Sequence, residues 1–105
     1  MLPAAVIDVA VRTLAETARP QGIVLFGSHA RGQAGPDSDL DLLVIEEHMD
    51  DRAAEMVRLR RALRHLRIPV DVLVASAAEV AQYADQPGHV LYWALKEGQV
   101  VYGRA

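Results

Sequence analysis

The chain has 105 residues, with 11 Lys and Arg against 14 Asp and Glu, which gives a net charge of −3. Hydrophobic residues make up 51% of the chain and charged residues 24%, the balance of an ordinary globular protein, so we expect a single domain over residues 1–105. Cysteine is absent, which excludes disulfides, thiol nucleophiles and thiolate metal sites. The negative net charge makes nucleic acid an unlikely direct ligand.

The first apolar segment does not have the pattern of a signal peptide, because Asp8, Arg12 and Glu16 interrupt it. No apolar run is long enough to span a bilayer. We therefore expect a cytoplasmic protein with no membrane contact.

The first half of the chain predicts a helix, two strands and an intervening loop. Apolar residues recur at helical spacing over residues 2–19, up to the breaker Pro20-Gln21-Gly22. The short apolar run 23–26 predicts a strand buried on both faces. A short helical turn follows it at residues 29–31, and the Gly- and Pro-containing stretch 32–38 predicts a loop. Residues 39–46 then predict a second strand.

The second half predicts a further strand among three helices. A helix capped by Asp50 or Asp51 should run to residue 66, and a strand should cover residues 70–74. Ser76 and Glu79 have the spacing of a capping box, so another helix should follow. A last helix is expected at 89–96, and residues 100–102 suggest a closing strand. The order predicts an α/β (α+β) domain: a small mixed β-sheet flanked by helices.

Three carboxylates suggest a metal site. Asp39 and Asp41 are two residues apart on one strand, so they face the same way with Cα atoms roughly 6.5–7 Å apart. Asp71 lies in the middle of the next strand between apolar neighbours, where an acid needs a partner. If the two strands are neighbours, all three acids meet on one face. Such a cluster suits Mg²⁺, which prefers oxygen ligands and is often shared with substrate phosphates.

The turn Gly27-Ser28 is a candidate phosphate-binding element. Gly27 has no Cβ and allows the backbone to approach a phosphate, while Ser28 offers a hydroxyl donor. Two metal ions held by the three carboxylates would stabilise the attacking and leaving oxygens of an in-line displacement. Arg31 could add a phosphate contact; the alternative is an ion pair with Asp37 that holds the loop. His29 has no predicted role, although it lies close enough to the site to touch a substrate.

These motifs carry a resemblance to a known family. Gly27-Ser28, followed after ten residues by Asp39-Leu40-Asp41, resembles the signature of the DNA polymerase β-like nucleotidyltransferase superfamily. The fuller string Leu25-Phe26-Gly27-Ser28-His29-Ala30-Arg31-Gly32 with Ser38-Asp39-Leu40-Asp41-Leu42-Leu43-Val44 resembles its minimal nucleotidyltransferase (MNT) branch. The resemblance spans nearly the whole chain. It implies that Asp39, Asp41 and Asp71 are the catalytic and metal-binding carboxylates, and that Gly27 and Ser28 hold the triphosphate.

The resemblance also implies a cofactor, a substrate and a partner. It points to Mg²⁺, with two ions expected, and to ATP or another nucleoside triphosphate. Many members of the branch are encoded beside a HEPN-type ribonuclease toxin and act as its antitoxin, and some transfer AMP to a toxin tyrosine. The expected function is therefore a protein adenylyltransferase of a HEPN/MNT toxin–antitoxin module. We also expect the toxin, or a second copy of the chain in a homo-oligomer, to complete the site.

Two alternatives stay open at this point. One is an antitoxin that neutralises by binding alone; the other is a small-molecule nucleotidyltransferase of the antibiotic-modifying type. An arginine-rich stretch is also unassigned. It is either a solvated helix face or a docking face for an acidic partner or RNA, and it comprises Arg58, Arg60, Arg61, Arg64 and Arg67.

Overall fold

The computed structural model describes residues 2–105, which form a four-stranded β-sheet with helices on both faces. The elements are α1 (Ala4–Ala18), β1 (Gly22–Phe26), α2 (Gly27–Ala30), β2 (Leu40–Glu46), α3 (Arg52–Leu63), β3 (Val70–Ser76), α4 (Ala77–Tyr83), α5 (Val90–Glu97) and β4 (Gln99–Gly103). A 3₁₀ turn, Arg64–Leu66, follows α3. The predicted fold class, a small mixed sheet flanked by helices, is confirmed. None of the helices in residues 2–105 has the length and apolar character needed to cross a membrane.

The strand order is β3-β2-β1-β4, which makes β3 and β4 the edges of the sheet. Strand β1 runs antiparallel to both of its neighbours, whereas β2 and β3 are parallel. The parallel register pairs Asp41 with Asp71, and the antiparallel register pairs Asp41 with Phe26, the residue just before Gly27. The topology therefore brings the predicted carboxylates and the Gly-Ser turn to one end of the sheet.

Each face of the sheet is covered by its own pair of helices. On one face, even-numbered residues of β2 such as Leu42 pack against α1 and α3. On the other face, Leu43 and Ile45 pack against Leu91 and Ala94 of α5. Because side chains alternate along a strand, Asp41 points to the α4–α5 face, at the end where the apolar packing stops. The strand interior thus fixes the direction of the Asp41 carboxylate.

Several predicted boundaries move by one to three residues. Helix α1 begins at Ala4 after Pro3, and it ends at Ala18 because Arg19 adopts a left-handed conformation with φ 47°. Asp39 was predicted inside the second strand but lies one residue before β2. The third helix was predicted to residue 66; its last turn is instead the 3₁₀ turn. Such displacements are common at element ends, where the last turn tightens.

The caps follow the sequence closely. The Asp51 side chain accepts a hydrogen bond from the Ala54 N–H at 3.0 Å, which starts α3. Ser76 and Glu79 form the predicted capping box at the start of α4. Helix α5 begins one residue later than predicted, with His89 as its N-cap. Caps depend on local sequence, which explains why they could be predicted.

Candidate active site

Asp41 and Asp71 are directly opposite each other on neighbouring strands. They are register partners in the parallel pair β2–β3, a spacing of roughly 4.8 Å between adjacent strands. Asp39 precedes β2 and is exposed, Asp71 is exposed on the edge strand, and Asp41 is partly buried between them. The structure therefore places the three predicted carboxylates at one end of the sheet, with Asp41 at the centre.

The electrostatics of Asp41 report this crowding. Burial raises the pKa of the Asp41 carboxyl above its ordinary value, and the negative charges of Asp71 and Asp39 raise it further. His29 and Arg31 oppose the rise without cancelling it. A carboxylate that is disfavoured by its neighbours is one that a nearby cation stabilises. The cluster thus has more negative charge than the surrounding side chains compensate.

Gly27 is required by both its backbone conformation and its surroundings. Its φ of 73° lies in the left-handed region, which favours glycine over other residues. A Cβ added here would collide with Oδ2 of Asp41, so a side chain cannot be accommodated without displacing that carboxylate. The missing side chain lets the Asp41 carboxylate lie directly against the Gly27 backbone, so the turn and the carboxylate stand side by side.

Ser28 and His29 occupy the short helix α2 that follows. Among residues 2–105 the Ser28 hydroxyl has no hydrogen-bond partner, so it can donate to a ligand. His29 is buried, and its Nε2 accepts the Leu2 N–H at 3.2 Å. Its Nδ1 therefore carries the proton and donates to the Asp39 carbonyl oxygen at 3.1 Å. The imidazole ties the chain start and the Asp39 backbone together beside the site.

Asp71 is not free of partners. Nη2 of Arg60, on α3, donates to Oδ1 of Asp71 at 2.9 Å. Helix α3 packs on the opposite face of the sheet, so the Arg60 side chain reaches Asp71 around the β3 edge. Within residues 2–105 no three acidic or histidine side chains already stand together as a metal-binding set. The carboxylates are neighbours, and Arg60 occupies one oxygen of the third.

Arg31 does not make the expected ion pair with Asp37. Its Nη1 donates to Oε2 of Glu97 at 3.1 Å, and its Nε donates to Gln33 Oε1 at 3.2 Å. Glu97 is the last residue of α5, so this contact links the loop after α2 to a distant helix end. The pairing partner was wrong because Glu97 is 66 residues away in sequence and only the tertiary fold brings it near.

The residues present fit a divalent cation. Three carboxylates supply hard oxygen donors, Asp41 carries a raised pKa, and no side chain separates Asp41 from the Gly27 turn. Asp39 and Asp71 both lie close enough for their charges to raise the pKa of Asp41, and Oδ2 of Asp71 is not engaged by Arg60.

Two residues of the site were missed by the sequence reasoning. His29 was assigned no role, and Arg60 was seen only as part of an arginine-rich stretch. His29 contacts the backbone of residues 10 and 27 positions away, and Arg60 contacts an acid 11 positions away. No local periodicity encodes such contacts. The sequence offered one hint for His29, its position directly after Gly27-Ser28, but only the structure shows that the side chain is buried.

The chain matches a known family in sequence and known structures in fold. The sequence profile of the nucleotidyltransferase domain matches residues 7–96. No curated protein sequence matches the chain. Among solved structures, a toxin–antitoxin with AMP-PNP is 22% identical, with a TM-score of 0.61 over 92% of this chain and 73% of that chain.

Two further solved structures share the fold. A candidate nucleotidyltransferase from Sulfolobus solfataricus is 21% identical, with a TM-score of 0.59 over 98% of this chain and 91% of that chain. A mutant of the toxin–antitoxin MntA-HpeT is 22% identical, with a TM-score of 0.56 over 98% and 75%. At these identities the structures show a common fold. The profile match covers most of the sequence, and the chain therefore belongs to the nucleotidyltransferase domain family.

Proposed function

We propose that this chain is a metal-dependent nucleotidyltransferase that transfers AMP from ATP to a protein acceptor, the HEPN-type toxin of a toxin–antitoxin pair. The observation that carries the proposal is the pairing of Asp41 with Asp71, flanked by Asp39, directly beside the Gly27 turn. Membership of the nucleotidyltransferase domain family supports the class of reaction. The fold shared with a toxin–antitoxin that was crystallised with AMP-PNP supports the nucleotide and the partner class.

Each site residue has a distinct task in this proposal. Asp39 and Asp41 would hold a divalent cation, expected to be Mg²⁺, which would supply charge neutralisation to the triphosphate and the leaving pyrophosphate. Gly27 lets the phosphates approach Asp41, and the Ser28 hydroxyl donates a hydrogen bond to a phosphate oxygen. Asp71 accepts the proton of the acceptor hydroxyl or contributes to a second cation site. The acceptor oxygen then bonds to the α-phosphorus as the bond to pyrophosphate breaks.

One observation favours a second candidate, an antitoxin that acts by binding alone. The third carboxylate, Asp71, is already engaged by Arg60 at 2.9 Å. If this ion pair never opens, only Oδ2 of Asp71 is left for a cation or a proton, and the adjacent guanidinium makes the carboxylate a weaker base. The pair is largely exposed, with side-chain exposures of 48% for Arg60 and 60% for Asp71. Exposed pairs of this kind contribute little to stability, typically about 0–1 kcal/mol, so a divalent cation can displace it.

The test is a transfer assay with ATP labelled at the α-phosphate, Mg²⁺ and the purified protein encoded beside this chain. We expect label on that protein with the native chain and none with Asp39→Asn/Asp41→Asn. The matched control is Asp8→Asn/Asp85→Asn, which removes two exposed acids elsewhere and should transfer normally. If the chain neutralises the toxin's activity without labelling it, and Asp39→Asn/Asp41→Asn neutralises it equally well, the binding-only candidate is established instead. Label found solely on added small molecules would contradict the protein acceptor.

A further inference from the structure

The outer surface of α3 is strongly basic. Leu59 and Leu63 form its inner side and are 0% and 1% exposed, whereas the opposite side carries exposed arginines. We call the exposed guanidinium groups on this side and on the following turn the arginine face, which comprises Arg60, Arg61, Arg64 and Arg67. The helix thus packs one apolar side on the sheet, and its outer side exposes these arginines together with Val57.

Most arginines of the arginine face have no ion-pair partner among residues 2–105. Arg58, which lies beside it, is held by Glu55 and by the Thr17 carbonyl oxygen. By contrast, Arg61, Arg64 and Arg67 have no ion-pair partner among residues 2–105, although acids outnumber bases in the chain. Residues three apart on a helical surface are neighbours, so these like charges repel one another. The repulsion between exposed charges is small, but an anionic surface placed against them would remove it.

The arginine face is continuous with the candidate active site. Arg60 belongs to it and also donates to Asp71, the register partner of Asp41. A molecule bound along the arginine face therefore ends next to Asp71. This is the carboxylate to which the proposed reaction assigns the acceptor proton. A docking surface in this place would set an acceptor side chain beside the chemistry.

The chemistry of the surface favours a protein over RNA. Guanidinium groups form paired hydrogen bonds with carboxylates. Beside them is a shallow groove of about 530 Å³ whose lining combines aliphatic side chains and arginines, namely Ala53, Ala54, Val57, Arg58 and Arg61. Val57 is 47% exposed, an apolar contact suited to a protein surface. The Phe, Tyr and Trp residues lie on other elements, so His65 is the only aromatic side chain of residues 2–105 that the arginine face offers to a stacked base.

We propose that the arginine face docks an acidic surface with aliphatic residues on the acceptor protein, and that this docking delivers the acceptor side chain to Asp71. The inference rests on the proposed function for the identity of the acceptor. It adds the surface that selects the acceptor and the chemistry of the complementary patch. Charge attraction of this type accelerates encounter and excludes basic partners.

The test measures fluorescence anisotropy with two labelled probes: a short amphipathic peptide of Glu, Ala and Leu, and oligouridine RNA. We expect the peptide to bind more tightly than the RNA, and Arg61→Glu/Arg64→Glu to weaken peptide binding about tenfold. The control Arg12→Glu/Arg104→Glu reverses two other exposed arginines and should change binding less than twofold, which is within the effect expected of net charge alone. Circular dichroism checks that each variant is folded.

Three outcomes would overturn the inference: no peptide binding by the native chain, equal weakening in the two double variants, or tighter binding of RNA with the same arginine dependence. ATP binding by the native chain and by Asp39→Asn/Asp41→Asn is measured in parallel. If those two bind ATP equally, the proposed function fails while the peptide result still decides the docking surface. The two failures are therefore distinguishable.

Discussion

The two ends of strand β2 both carry clustered carboxyl groups, but only one end neutralises them within the chain. At the carboxyl end, burial and a hydrogen bond with Glu55 raise the pKa of Glu46 to about 7. Two hydrogen bonds from Arg58, at 2.6 and 2.9 Å, together with the one from Glu46, hold the pKa of Glu55 well below its ordinary value. A proton on Glu46 and the guanidinium of Arg58 thus compensate the two carboxyl groups at this end.

The amino end has no such arrangement. Burial, Asp71 and Asp39 all raise the pKa of Asp41, and Arg60 engages Asp71 instead of Asp41. His29 and Arg31 lower the pKa of Asp41, but each by less than burial, Asp71 or Asp39 raises it. The comparison teaches that a raised carboxyl pKa alone does not mark a functional site. The amino end differs because its central carboxyl, Asp41, has no ion-pair partner among residues 2–105, which makes it the candidate functional site.

The largest effect is expected from Asp41→Asn. Removing a carboxylate that we propose as a cation ligand should lower nucleotidyl transfer by more than about a hundredfold, since even outer-shell changes cost about ten- to a hundredfold. Folding stability at neutral pH should rise, because the raised pKa means that the ionised form is disfavoured in the folded state. Transfer assays and urea unfolding measure the two. Glu46→Gln is the control, since it should raise folding stability and leave nucleotidyl transfer intact. If Asp41→Asn lowers folding stability as well as nucleotidyl transfer, the contrast between the two ends of β2 is wrong.

Gly27→Ala should come next. Gly27 and Gly32 have nearly equal positive φ values, 73° and 70°, so alanine at either costs about 1 kcal/mol in backbone strain. Only at Gly27 does the new Cβ meet a neighbour, Oδ2 of Asp41; around Gly32 the space is open. We expect Gly27→Ala to reduce transfer about tenfold or more by displacing that carboxylate, and Gly32→Ala to reduce stability alone. Equal activities of the two variants would contradict the close approach at Gly27.

Glu46→Gln tests the raised pKa of Glu46 at the carboxyl end of β2. Because the pKa of Glu46 in the folded state is raised to about 7, the folded state binds this proton more tightly than the unfolded state. Stability from this group is therefore present below 4.5, the ordinary value, and is lost as the pH rises to about 7. Glu46→Gln should remove that loss and stabilise the chain by roughly 1 kcal/mol near pH 8, after allowance for solvent screening.

The measurement is urea unfolding of Glu46→Gln and the native chain at about pH 5 and about pH 8. Glu47→Gln, at the exposed neighbouring position, controls for the loss of one negative charge. If the native chain is no less stable at the higher pH than Glu46→Gln, the raised pKa does not reflect the folded state.

The smallest effects concern Arg31 and Glu97. Their ion pair is about 40% exposed on each side, so Arg31→Ala and Glu97→Ala should each cost at most about 1 kcal/mol. ATP affinity distinguishes a phosphate contact of Arg31 from a purely structural ion pair. Arg31→Ala should weaken ATP binding about threefold through loss of the phosphate contact. Glu97→Ala frees Arg31 and should leave ATP binding unchanged. Identical ATP affinities in the two variants would leave Arg31 with a structural role alone.

The sequence predicted the fold class and the central carboxylates because both depend on local pattern. Period-two alternation set the direction of Asp41, and an acid between apolar residues singled out Asp71. The parallel pairing that places these two side by side depends on how α3 crosses the sheet, which spacing alone does not determine. The contacts of His29 and Arg60 likewise require distant elements to pack before they exist.

The most direct test of the central claim is calorimetric titration of ATP with and without Mg²⁺. It is carried out on the native chain, on Asp39→Asn/Asp41→Asn, and on Glu46→Gln from the opposite end of β2. We predict Mg²⁺-dependent binding by the native chain and by Glu46→Gln, and its loss in Asp39→Asn/Asp41→Asn. Binding that is independent of Mg²⁺, or that survives removal of both aspartates, would contradict the assignment of the divalent cation site to this end of the strand.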